Sequence, residues 1–180
     1  ACYPQGDSTR IVDCHAIEQC LLKHEMVREA ECYKSPFGKV HIAISQRIPV
    51  LAVVSSNGYY YVDSDRRVMP IRGEVDKNLP MLKGAVTERA AMAEYFDFVS
   101  WLRDDKYWKE RIRAIHVKTS KYIVLTQEGS DAKIILGELE DYEDKLAKLR
   151  QLYTKGFDQI GYPEYREYDL RFDNQVVGRK

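Results

Sequence analysis

The chain has 180 residues, in which 28 Lys and Arg are balanced by 28 Asp and Glu, with four His besides. The balance is also local: residues 1–50 carry six basic and six acidic side chains, which leaves 22 of each for residues 51–180. That excludes the basic excess with which a nucleic-acid binder neutralises phosphates, and the longest apolar run, Val50–Val54, is far short of the ~20 residues of a membrane helix. The length suits one medium domain or two small ones, and no signal-peptide pattern opens the sequence.

Residues 13–26 read as a helix. Asp13 is a suitable N-cap, and Ile17, Leu21 and His24 recur on one face with Cys20 beside them. A strand is predicted over 27–34, followed by the turn cluster Ser35-Pro36-Phe37-Gly38. A second strand follows, in which Val40, Ile42 and Ile44 alternate with His41, Ala43 and Ser45. Arg47-Ile48-Pro49 marks a seam, because proline interrupts a strand ladder.

Beyond the seam, Val50–Ser55, Asn57-Gly58 and Tyr59–Asp63 give a strong hairpin signal. A turn at Ser64-Asp65-Arg66 leads to a short strand near Val68–Ile71, and residues 72–86 read as irregular. A helix is predicted from Thr87, its N-cap, with Met92, Tyr95, Phe96, Val99 and Leu102 on its buried face. Three strands follow at Arg111–Lys118, Lys121–Thr126 and Ala132–Leu136, the last two joined by a hairpin loop at 127–130. A second helix spans about 138–155, with Leu139, Tyr142, Leu146, Leu149 and Tyr153 on its stripe. The final strand is expected over about 165–177. Tyr168, Leu170 and Phe172 share one face, and Glu167, Asp169, Arg171 and Asp173 the other. The order of elements gives an α+β fold with mostly antiparallel pairing.

Chemistry-bearing motifs are scarce. His15, His24, His41 and His116 are scattered, and the first two lack the i, i+4 spacing of a metal face. There is no G-x-S-x-G elbow, no G-x-G-x-x-G and no phosphate-cradling loop. The acidic cluster Glu138, Glu140, Asp141, Glu143 and Asp144 sits at a predicted helix start, where it complements the macrodipole. No catalytic, cofactor or metal site is expected. Cys2, Cys14, Cys20 and Cys32 contain no CxxC, and an even count admits two disulfides or buried thiols. Cys20 is expected to approach Cys32, because its helix should pack over the hairpin. Tyrosine is abundant, at 13 residues; half-exposed sheets and interfaces both favour it.

Several stretches resemble the extracytoplasmic region of the bacterial division proteins FtsQ/DivIB. They are Val27–Tyr33 (VREAECY), Gly38–Pro49 (GKVHIAISQRIP), Gly58–Asp63 (GYYYVD), Leu79–Gly84 (LPMLKG), Ala132–Gly137 (AKIILG) with Lys145-Leu146, and Asp169–Phe172 (DLRF). They occur in the family's order and cover nearly all of residues 14–177. The resemblance implies a partial POTRA unit at residues 1–49, with the second helix and last two strands, entered within its first helix near Ala1–Gly6. A mostly antiparallel β-domain with helices on one side would follow at 50–180. It implies a non-enzymatic divisome scaffold that binds FtsB and FtsL, besides other divisome proteins. The whole protein would be held in the inner membrane by one helix absent from this chain, with this region in the periplasm at the septum.

The last strand of an antiparallel sheet can accept an extended partner by β-addition. The expected partner-binding residues are therefore Tyr168, Leu170, Arg171, Phe172, Asp173, Asn174, Gln175, Val176 and Val177, with the charged face of Asp169, Arg171 and Asp173 fixing register. Two other readings stand beside this one: a carboxylate-based glycan hydrolase, secreted or periplasmic, and a POTRA-containing outer-membrane assembly protein.

Overall fold

A computed structural model describes residues 11–56, 58–157, 165–173 and 175–180. The chain divides into two compact units, Ala1–Pro49 and Val50–Lys180.

In the first unit Asp13 caps α1 (Cys14–Leu22), its carboxylate accepting from the Ala16 amide at 3.1 Å. β1 (Val27–Lys34) pairs antiparallel with β2 (Val40–Gln46), setting Cys32 opposite Ile42 and Ala30 opposite Ile44. Val12, Ile17, Leu21 and Cys32 form a small core, against which Cys14, Ala30, Val40 and Ile42 pack. A nine-residue helix is only roughly 14 Å long. It covers Val40 and Ile42, while Ile44 stays 52% exposed.

The expected approach of Cys20 to Cys32 does not occur. Cys14 shares the helical stripe of Ile17 and Leu21, so it is Cys14 that meets Cys32. Both are free thiols, whereas Cys20 is disulfide-bonded. Burial, then the hydrogen bond with the Cys14 thiol, pushes the Cys32 thiol up to about 11.

Among the described residues, the second unit holds nine strands in one sheet. They are β3 (Pro49–Ser55), β4 (Gly58–Asp63), β5 (Val68–Pro70), β6 (Met81–Gly84), β7 (Ile112–Thr119), β8 (Tyr122–Gln127), β9 (Ser130–Gly137), β10 (Glu167–Asp169) and β11 (Val177–Arg179). Their order across the sheet is β11-β10-β9-β8-β7-β6-β3-β4-β5. Antiparallel pairs predominate, but β3 with β6, β6 with β7, and β9 with β10 run parallel. Parallel neighbours need a long crossover. α2 (Glu88–Met92) and α3 (Glu94–Asp104) make the one from β6 to β7, and α4 (Tyr142–Gln151), extended by a π-helical turn at Leu152–Gly156, lies in the one from β9 to β10.

Both crossovers pack on the same face, so alternate residues of the central strands, such as Ile115, Leu125 and Ile134, are buried against Phe98, Leu102 and Leu146. Tyr142 meets Phe98 edge-on at 4.8 Å and Trp101 at 5.3 Å, joining the two crossovers. β6 lies within the stretch expected to be irregular, because four residues ending in Lys83-Gly84 carry little alternation.

The helix predicted from Thr87 is broken at Ala93 (φ −111°, ψ −107°). The freed Met92 carbonyl accepts from the Arg66 guanidinium at 3.2 Å. Arg66 also pairs with Asp97 and lies 4.7 Å over the Phe96 ring. Arg66 reaches there from the β4–β5 turn, where it adopts a left-handed φ of 59°. The Asp63 carboxylate stabilises that turn by accepting from the Asp65 and Arg67 amides at 2.9 and 2.8 Å.

Candidate functional site

The run read as one strand over 165–177 is two strands. β10 ends at Asp169, and residues 170–176 connect it to β11, which returns antiparallel with Tyr168 opposite Gly178. β10 is therefore internal, hydrogen-bonded to β9 on one side and β11 on the other. The edge expected along Tyr168–Val177 lies instead along Val177–Arg179. Among the described residues no strand pairs with the outer side of β11.

The expected partner-binding residues separate into two sets. Tyr168 and Leu170 are 5% and 3% exposed and belong to the core. The Tyr168 ring meets Tyr153 edge-on at 5.2 Å and Tyr165 at 5.9 Å. Phe172, by contrast, is 43% exposed, because the strand has ended before it. Asp173 and Gln175 are exposed, Val176 and Val177 half-buried, and Asn174 lies outside the described residues.

Arg171 folds back onto the sheet. Its guanidinium grips Asp169 with two bonds, Nε to Oδ1 at 2.9 Å and Nη2 to Oδ2 at 2.7 Å, and Arg179 adds a third to Oδ2 at 3.2 Å. Asp169 is fully buried, so the carboxylate read as a partner-facing charge is consumed internally. The Arg171 hydrogen bonds hold its carboxyl below the usual range, against the opposing effect of burial. This cluster ties the edge strand, through Arg179, to the strand beneath it.

Two glycines make room. A Cβ on Gly137, at φ +81°, would lie 2.7 Å from Arg171 Cγ, and one on Gly178 would lie 2.9 Å from the Tyr165 ring. Neither the Asp169 cluster nor these close approaches could be read from strand alternation, although the Asp-x-Arg spacing places both charges on one face.

Elsewhere Glu94, Asp97, Glu138 and Glu140 line an open cavity of about 460 Å³. Arg66 pairs with Asp97 and Lys121 with Glu138 at 3.5 Å, so two of these four carboxylates are ion-paired. His15, His24 and His41 lie in the first unit and His116 in the second, and His41 stacks on Tyr33 at 5.0 Å. Among the described residues no helix is long and apolar enough to cross a membrane.

A helix-and-hairpin unit followed by a mixed sheet with helices on one face defines a POTRA-like module joined to a larger β-domain. A POTRA-like domain matches residues 1–45. Residues 48–179 match the FtsQ/DivIB, C-terminal related family, and the chain belongs to that family. A comparison with curated proteins gives no match. Membership makes this a septal cell-division protein of a non-enzymatic scaffold family whose partners are divisome proteins.

Proposed function

We propose that this region links early and late division proteins by docking an extended segment of FtsB, together with FtsL, along the outer side of β11. The region faces the periplasm, and a single helix anchors the whole protein in the inner membrane. The observation that carries the reading is the edge itself: Val177–Arg179 ends the sheet order, and no described strand covers it. Main-chain hydrogen bonds to such an edge supply affinity and neighbouring side chains supply specificity. Phe172, Asp173, Gln175, Val176 and Val177 are the side chains accessible for that second task, and Asn174 belongs to the same proposed stretch. Tyr168, Leu170 and Arg171 serve as the platform that holds the edge in place.

The platform and contact roles predict different outcomes. Phe172→Ala should weaken binding of the purified FtsB–FtsL periplasmic pair about tenfold, as expected for an aromatic hot spot, and leave the Tm unchanged. Leu170→Ala should lower the Tm, because a buried leucine costs about 2–5 kcal/mol to truncate. Calorimetric titration and thermal melts measure both. Wild-type affinity in Phe172→Ala and in Val177→Glu, each with an unchanged Tm, would refute the edge site.

A further inference from the structure

The face of the sheet opposite the helices carries a second feature that edge pairing does not use. Alternation turns Lys83 of β6, His116 and Lys118 of β7, Tyr122, Val124 and Thr126 of β8, and Lys133 and Ile135 of β9 away from the core. Registers place Lys83 beside His116, His116 beside Val124, and Val124 beside Ile135. Seven of these side chains, all but Lys83, line with Glu167 a cavity of about 290 Å³. Its floor is apolar: Val124 and Ile135 are 6% and 2% exposed, although they lie outside the core that the helices cover.

The rim is cationic. Among the described residues, Lys83, Lys118 and Lys133 make no ion pair; Lys118 instead lies 5.0 Å from the Tyr122 ring, and Arg171 lies 5.3 Å from it. Burial, then Lys83, Lys133 and Lys118 in that order, holds the His116 imidazole below its ordinary value. Among the described residues, Glu167 is the single carboxylate of the lining.

We propose that this cavity and its lysine rim bind an acidic, extended peptide segment of a protein partner, with carboxylate and apolar side chains taking turns along the one face that it lays on the sheet. The cations are dispersed over β6, β7 and β9, and three strand spacings separate Lys83 from Lys133 by roughly 14 Å. A compact phosphate would satisfy only part of such a rim, whereas carboxylates four residues apart on an extended chain, roughly 14 Å, span it. An apolar side chain midway between them, two residues from each and therefore on the same face, would rest on Val124, Ile135 and the Tyr122 ring. Free cations of one sign on a partly apolar floor also favour attraction of an oppositely charged partner over self-association.

The test uses the 180-residue chain, isotopically labelled for NMR, with a capped Glu-Ser-Val-Ser-Glu peptide as the probe and its Lys-for-Glu counterpart, a Lys–Val peptide, as the control. Binding should shift the amides of 122–126 and 133–135, and should move the His116 titration midpoint back up, because carboxylates then offset Lys83, Lys118 and Lys133 and add to Glu167. Lys118→Glu with Lys133→Glu should weaken binding at least tenfold at unchanged Tm; Lys83→Gln, a milder change, should weaken it severalfold. Absence of those shifts, an equal response to a Lys–Val peptide, or wild-type affinity in the charge-altered variants would overturn the proposal. So would a response to inorganic phosphate or phosphatidylglycerol vesicles without one to the acidic peptide, which would assign the site to a phosphate or a lipid headgroup.

Discussion

Asp169 shows how one carboxylate can serve a surface it never reaches. Its buried oxygens accept two bonds from the Arg171 side chain and one from Arg179, and both arginines remain partly exposed, at 38% and 50%. Removing the carboxylate therefore does not strand a buried cation, because either guanidinium can turn to water. Asp169→Asn should cost about 2 kcal/mol, the scale of a charged hydrogen bond lost, rather than the larger penalty of an orphaned buried charge. The pH dependence has a definite sign. Arg171 lowers the folded-state pKa of Asp169, so the folded protein binds fewer protons here than the unfolded chain. The stabilisation is fully present above the ordinary carboxylate value near ~4 and is lost as pH falls through the lower folded value. Denaturant unfolding from pH 7 to pH 2 should show a steeper acid loss in the wild type than in Asp169→Asn. Parallel curves would contradict this role.

At the scale of elements, the edge strand depends on close approach. Gly178 sits where any Cβ would press into the Tyr165 ring, and Tyr165 in turn packs on Tyr168 and Phe157. Gly178→Ala should loosen β11 by about 1 kcal/mol without reaching the central strands. Hydrogen exchange should quicken at 177–179 and stay unchanged in β7 and β8; uniform acceleration would mean that the hairpin is not a separable element. In the second unit, sequence alternation located most strands and both helical regions, because their apolar stripes face a single core. It merged β10 with β11 because Tyr168, Leu170 and Phe172 keep period two across the strand end, although only the first two are buried. Parallel pairing was equally invisible: alternation records which face is buried, not which strand lies alongside. The break at Ala93 has no local signal either, since neither proline nor glycine stands there; the Met92 carbonyl it frees is met by Arg66, 26 positions earlier.

Over the whole molecule, the family match covers 48–179 and the POTRA-like match 1–45, so most residues of both units serve a shared architecture. What distinguishes the surface is concentrated on the second unit: an uncovered edge at β11 and a lysine-rimmed sheet face beside it. The candidate site was partly legible beforehand. The motif Asp169–Phe172 marked the segment that leads into the edge strand, but which of its side chains are buried depends on the hairpin and on Asp169's two arginine partners, neither of which alternation encodes.

The central claim is that a partner adds a strand to β11. Hydrogen exchange measured by mass spectrometry, with and without saturating FtsB–FtsL periplasmic pair, tests it directly, because β-addition protects backbone amides whatever the side chains do. Slower exchange in the segment 172–180 on binding, without comparable change in β4 and β5 at the opposite edge of the sheet, is the predicted result. Unchanged exchange at 172–180 with the partner fully bound, or protection confined to β5, would contradict it.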